Sequence, residues 1–267
     1  MIGAIIGDIV GSRWEFNPTN DYHFEWLSSE NDFTDDTICT IAVADALLHG
    51  NNFGEAIHDW CRRYPHPMGG YGGRFLRWVH SENPEPYGSF GNGSAMRVSP
   101  VAYWYDTEQE VLDAAAATAL PTHNHPEGVK GAQTVALAIF KALEFNRGSH
   151  REAPLHIDEI LEACVKFSGY DINMPKSAVM NKFDETCQGT VPVALKIIGV
   201  ATGFEDAVRI AVSLGADADT LGAIVGSVAE AIWGVPSSIS QEIEKRLPEE
   251  MRSVLEAFRI QCPHYPL

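Results

Sequence analysis

Two short segments concentrate hard oxygen donors. Thr34-Asp35-Asp36-Thr37 and Asp217-Ala218-Asp219-Thr220 each combine two carboxylates with threonine hydroxyls, and each stands directly before an apolar run. An acid or threonine at a helix start has an ordinary role as N-cap and dipole complement, contributing on the order of 0.5–2 kcal/mol. A cap needs one acceptor, however, and each segment offers more. Such donors suit Mg²⁺ or Mn²⁺ and not zinc. If both segments and Glu15 converge, five carboxylates share one cleft. Two helix N-termini return roughly +0.5 each, which leaves about −4. That charge would hold protons on some carboxylates or drive them apart unless two divalent cations neutralised it. Convergence predicts a dinuclear metal cleft; remote placement would leave two ordinary caps.

Gly88-Ser89-Phe90-Gly91-Asn92-Gly93-Ser94-Ala95-Met96-Arg97 is a glycine-rich loop running toward a helix. Backbone N–H groups freed by glycine and aimed from a helix start form an anion site; the alternative is an ordinary turn. No strand precedes the loop and it lacks the lysine of a Walker motif, so neither nucleotide fingerprint applies. Thr122-His123-Asn124-His125-Pro126 contains His-x-His, but an alanine-rich helix leads into it instead of a barrel strand. Substrate contact by His123 is therefore expected in preference to zinc, an ordinary hydrogen-bonded loop or core histidine being the alternative.

These residues need a frame, and helical period dominates the chain. From Thr37 to Leu48 the stripe Ile38, Ile41, Ala42, Ala46 ends at Gly50, a stop signal. Comparable patterns run over 54–63, 73–82, 107–119, 128–145, 155–167, 190–202, 204–214, 219–233 and 248–261. Leu247-Pro248-Glu249-Glu250 opens the last of these with proline and acids at the positive end of the dipole. β-branched alternation is almost absent. The expectation is an all-α fold of about ten or more helices. The Gly/Pro-rich stretches 65–73 and 83–93 read as loops, since the apolar pattern resumes after each, giving a single domain over 1–267.

The 267 residues are 45% hydrophobic, enough for a sizeable core, and carry 19 Lys+Arg against 36 Asp+Glu, a net −17. Such a surface repels nucleic acid and anionic membranes, so a phosphate-bearing ligand needs a local positive device. The five cysteines are widely spaced with no CxxC pair, which fits a reducing cytoplasm better than a disulfide framework. Asp8 interrupts the first apolar run too early for a signal peptide, and Glu230 interrupts the longest one, Leu221 to Val235. A cytoplasmic monomer is expected.

In this order, the segments resemble the ADP-ribosylglycohydrolase family, the relatives of dinitrogenase-reductase-activating glycohydrolase. The matching pieces are Gly3-Ala-Ile-Ile-Gly7-Asp8-Ile-Val-Gly11-Ser12-Arg13-Trp14-Glu15, Phe33-Thr34-Asp35-Asp36-Thr37 and Gly91-Asn92-Gly93-Ser94-Ala95-Met96-Arg97. Thr122-His123-x-His125-Pro126 and Gly215-Ala-Asp217-Ala-Asp219-Thr220-Leu-Gly222-Ala complete the set. The resemblance implies a compact all-α fold with two Mg²⁺ ions (or Mn²⁺) held by Thr34, Asp35, Asp36, Asp217, Asp219 and Thr220. It implies catalytic roles for Glu15 and Asp35, and pyrophosphate and ribose held by the loop Gly88, Ser89, Phe90, Gly91, Asn92, Gly93. His123 would touch the substrate, and Phe90 would neighbour the adenosine half or pack within its loop. The implied reaction removes ADP-ribose from a modified protein or a small ADP-ribose conjugate by hydrolysing the bond at the distal ribose anomeric carbon. Gly11-Ser12-Arg13-Trp14-Glu15 and Gly88-Ser89-Phe90 look closer to the branch acting on O-linked acceptors (ADP-ribosyl-serine, poly(ADP-ribose)) than to the arginine-specific branch. An N-linked arginine hydrolase, a two-metal nucleotide phosphoesterase and a non-catalytic ADP-ribose-binding module are the alternatives.

Overall fold

A computed structural model describes residues 1–147 and 157–265, and the fold is all-α. The helices are α1 (Ile2–Ser12), α2 (Asp35–His49), α3 (Phe53–Arg63), α4 (Gly73–His80) and α5 (Gly93–Met96). They continue with α6 (Ser99–Trp104), α7 (Glu108–Ala119), α8 (Pro126–Arg147), α9 (Ile157–Ser168) and α10 (Cys187–Val200). The last are α11 (Phe204–Val212), α12 (Ala218–Trp233), α13 (Ser237–Glu244) and α14 (Glu249–Gln261). Among the described residues the only β pairing is an isolated bridge between Gly91 and Thr186. The predicted helix over 155–167 begins at Ile157, its first two positions lying outside the described residues.

Caps explain several boundaries. Thr34 caps α2 by accepting from the Asp36 N–H, and α2 ends on Gly50 in the left-handed conformation at φ 66°. Thr107 and Glu110 close a reciprocal capping box on α7. Pro248 takes the N-cap of α14, with Glu249 and Glu250 in its first turn.

Sequence reading left α1 out, and it is the helix on which the site is built. Every residue of α1 is buried, and it lies along α12, whose residues 218–232 are buried as well. Gly3, Gly7 and Gly11 recur every four residues and so line one face of α1. On α12, Gly226, Gly222 and Ala218 oppose them in antiparallel order. A Cβ placed at Gly3, Gly7 or Gly11 would fall under 3.0 Å from the carbonyl oxygen of Gly226, Gly222 or Ala218 respectively. The glycines are there because two backbones touch. Glu230, expected only to interrupt an apolar stretch, is buried in α12 and accepts a hydrogen bond from the Gly3 N–H at 2.8 Å. The seam brings Asp8, on α1, level with the start of α12.

Candidate active site

Asp8 does the local assembling. Fully buried, it accepts from the Thr34 N–H at 3.1 Å, the Thr34 hydroxyl at 2.8 Å, the Thr37 N–H at 3.1 Å and the Thr37 hydroxyl. These bonds hold the first turn of α2 against α1. Burial still raises its pKa to about 6, with the four hydrogen bonds opposing. Nothing in the sequence reading gave Asp8 a role, although a lone carboxylate inside an apolar, glycine-spaced helix was the available signal.

The two acid segments meet. The Thr220 hydroxyl of α12 donates to Asp36 Oδ2 of α2 at 3.2 Å. Asp217 is the N-cap residue of α12, and its Oδ2 accepts from Asn92 Nδ2 at 2.7 Å. Glu15, in the turn after α1, comes to Asp217 and Asp219 so that one carboxylate oxygen from each lies within 4.8 Å of the others. Gly69, at φ 75°, leaves no room for a Cβ beside the Glu15 carboxylate. Asp35, Asp217, Asp219, Thr220 and Glu15 line one cavity of about 420 Å³. Thr34 and Asp36 stand behind that lining, buried.

Crowding raises every pKa in this group. Glu15 is pushed up to about 8 by burial and then by the charges of Asp219 and Asp8. Asp217 is pushed up to about 7 by burial, against the hydrogen bond from Asn92. Burial, followed by mutual repulsion, takes Asp36 and Asp219 well above the ordinary carboxylate range. Asp35 moves the same way through burial, then Cys39 and Asp219. Asp36 Oδ1 and Asp219 Oδ1 are buried with no hydrogen-bond partner. Orphaned carboxylate oxygens inside a ring of acids are what a cation site looks like from its protein side. The donor set fits hard divalent cations, with Glu15, Asp35, Asp36, Asp217, Asp219 and the hydroxyls of Thr34 and Thr220 as candidate ligands.

The opposite wall differs from expectation in how it handles negative charge. In the loop before α5, the N–H groups of Gly88, Ser89, Gly91 and Asn92 are bound to Asn124 Oδ1, Thr122 O, Ser89 Oγ and Glu185 O. They are spent on shaping the loop, and α5 is a single turn. The positive charge comes from side chains instead: Arg74, exposed on α4, and Arg97, buried after α5, both line the cavity. Ser89, Gly91, Asn92, Gly93 and His123 also line it. Gly88 and Phe90 do not; the Phe90 ring is exposed and sits 5.2 Å from the His125 ring. His123 is buried, and burial followed by Arg97 and Arg74 keeps its pKa well below the ordinary value, so it is neutral.

Three further parts of the wall escaped the sequence reading. The loop Gly69–Gly72 with the start of α4, Tyr87, and Glu185 all line the cavity. None carried a motif, and only chain reversal brings them together. Arg13, two residues before Glu15, turns away to Ser28 Oγ at 2.8 Å and Glu25.

A helical fold with a carboxylate-ringed cavity between two helix N-termini defines a class of protein. The ADP-ribosylglycohydrolase family matches residues 1–263, and the chain belongs to that family. It is similar to ADP-ribosylhydrolase ARH3 of Homo sapiens, with 26% identity over 91% of this chain and 88% of that protein. It is also similar to ADP-ribosylarginine hydrolase Tri1 of Pseudomonas putida (strain GB-1), with 24% identity over 92% of this chain and 72% of that one. A solved structure titled "ADP-ribosylglycohydrolase-related protein complex" superposes with a TM-score of 0.72 at 25% identity, covering 98% of this chain and 97% of that chain. Among the described residues no helix is long and apolar enough to cross a membrane.

Proposed function

We propose that this ADP-ribosyl hydrolase releases ADP-ribose from a modified acceptor by hydrolysing the bond at the distal ribose anomeric carbon, with an O-linked acceptor favoured and Mg²⁺ (or Mn²⁺) required. The observation that carries the reading is the convergence of Asp35, Asp217, Asp219 and Glu15 around one cavity, with Asp36 directly behind them and two buried carboxylate oxygens, of Asp36 and Asp219, left unpartnered. Asp35, Asp36, Asp217, Asp219, Thr34 and Thr220 would hold the cations. When bound, such ions polarise water and bind ribose hydroxyls.

The chain's own residues supply the rest. Cleavage passes through an oxocarbenium-like state, and an attacking water must lose a proton. Glu15 would accept it, since it lines the cavity and brings a carboxylate oxygen beside those of Asp217 and Asp219. Asp35, at the start of α2 and facing the same cavity, is the second candidate. Arg74 and Arg97 offset the two charges of the diphosphate on a chain that is otherwise strongly acidic. Gly91, Asn92 and Gly93 give the sugar–phosphate close approach to backbone, and His123 contacts the same part of the ligand.

The acceptor preference rests on the resemblance of Gly11-Ser12-Arg13-Trp14-Glu15 and Gly88-Ser89-Phe90 to the branch acting on O-linked acceptors; of the second segment Ser89 lines the cavity. A second reading, an ADP-ribosyl-arginine acceptor, is favoured by Glu185, which brings a carboxylate to the cavity from another segment. A panel of ADP-ribosylated serine, arginine and polymer substrates, assayed with Mg²⁺ and with EDTA, tests the proposal. The expected product is ADP-ribose with its pyrophosphate intact; AMP would indicate a phosphoesterase, and binding without turnover on every acceptor would leave a binding module.

A further inference from the structure

Beside the histidine of the cavity wall lies a buried cation that has no counter-ion among the described residues. Arg97 is fully buried, and among the described residues it makes no ion pair. Its Nη2 donates to Thr118 O at 2.7 Å and to Thr122 Oγ1 at 2.8 Å, while its Nε has no partner. Thr122 Oγ1 in turn lies 2.7 Å from His123 Nδ1. Thr122 is itself fully buried.

Hydrogen-bond counting settles the direction of this chain. A guanidinium has donors and no acceptor, so the Thr122 oxygen accepts from Arg97 and cannot give its proton back. The hydroxyl has one proton to place, and among the described residues His123 Nδ1 is the acceptor within reach. If Nδ1 carried the imidazole proton instead, that hydroxyl would be buried with nowhere to donate, an arrangement folded proteins avoid. Nδ1 is then the unprotonated nitrogen and Nε2 carries the hydrogen. Nε2 faces the loop: a Cβ at Gly93 would lie 3.2 Å from it, and one at Gly91 3.5 Å. Both glycines line the cavity.

We infer that Arg97 and Thr122 are positioning residues that lock His123 in the Nε2–H tautomer, making it a neutral hydrogen-bond donor to a ligand oxygen at the Gly91–Gly93 loop and not an acid or base. Burial beside Arg97 and Arg74 keeps the ring uncharged and supports the assignment. The chain predicts acceptor oxygens, of phosphate or ribose, opposite Nε2. The ligand part of this inference rests on the proposed ADP-ribose reading, whereas the tautomer does not.

The test uses the full chain with ¹⁵N-labelled histidine, the His123 signals being assigned by their loss in His123→Gln. The wild-type spectrum should show a protonated Nε2 and an unprotonated Nδ1 with the shift of a hydrogen-bonded acceptor. Thr122→Val should populate both tautomers and weaken ADP-ribose binding, measured by calorimetry in Mg²⁺, by about 5- to 30-fold. Thr122→Ser should restore both readouts to within about twofold, since it keeps the hydroxyl. A wild-type His123 carrying its proton on Nδ1 overturns the inference without needing any variant to fold. So does a folded Thr122→Val protein with unchanged tautomer and unchanged affinity. If the wild-type shows the expected tautomer but binds no ADP-ribose, the functional reading fails and the tautomer stands.

Discussion

Raising the pH of the protein in EDTA should loosen its fold across a range where ordinary carboxylates have finished titrating. Burial pushes Asp217 up to about 7 in the folded chain, against about 3.9 for an unfolded aspartate. Between those values the native state holds more protons than the unfolded state. The associated stability is fully present below the unfolded pKa and declines as pH rises through the folded one. Integrating that difference from pH 5 to pH 8, Asp217 alone costs about 3 kcal/mol. At about 2–4 °C per kcal/mol, the melting temperature should fall by about 6–12 °C. Glu15, displaced to about 8, and Asp8, displaced to about 6, act with the same sign. Divalent cations should reverse the trend, because they compete with protons for the same oxygens; millimolar Mg²⁺ or Mn²⁺ should stabilise far more at pH 8 than at pH 5. Differential scanning fluorimetry over this range reads the effect. Asp219→Asn separates the local effect from the general repulsion of a −17 chain by flattening the slope. A melting temperature in EDTA that stays level or rises from pH 5 to pH 8, or cation stabilisation equal at the two ends, would refute the reasoning.

Three other outcomes follow from the geometry. Glu15→Gln should reduce turnover by about 10²- to 10⁴-fold while ADP-ribose affinity, measured by calorimetry, changes little; equal losses in both would remove its role in proton transfer. Asn92→Ala should weaken ADP-ribose binding by about 5- to 30-fold. It should also raise the Mg²⁺ concentration needed for half-maximal activity, because Asp217 loses the amide that orients it at 2.7 Å. Gly7→Ala sets a methyl against the backbone carbonyl of Gly222, which no rotamer change can clear. Urea denaturation should show a loss of about 3 kcal/mol or more, and Mg²⁺ affinity should drop with it, since the seam aligns Asp8 with α12. A Gly7→Ala protein of unchanged stability would show that the two helices do not touch there.

Much of the fold was legible because helix signals are local. The stripe after Thr37, the stop at Gly50 and the acids at two helix starts act within a few residues, and α2 and α12 appear where those signals put them. The segments read as helical omit α1, α6 and α13, and α1 failed to register for a physical reason. Glycine every fourth residue lowers helix propensity when the segment is judged alone, and becomes an advantage only when a second backbone lies against it. The loop 65–73 similarly reads as a connector until Gly69 is seen against Glu15. Of the loop amides expected to be free, those of Gly88 and Asn92 are bound by acceptors distant in the chain, at Asn124 and Glu185, and that of Gly91 by its neighbour Ser89.

By itself the sequence determined the inventory: which side chains can hold a hard cation, which cap a helix, and how much negative charge any meeting of them would have to neutralise. Those are properties of residue types and of neighbours three or four positions apart. Only tertiary structure decided that Asp35 and Asp219 face one cavity with Asp36 behind them, that Asp8 holds the first turn of α2 against α1, and that Arg97 reaches His123 through Thr122. Contacts between residues nearly two hundred positions apart depend on which helix faces can come close enough to touch, and here that is set by glycines whose purpose shows only once their partner is in place.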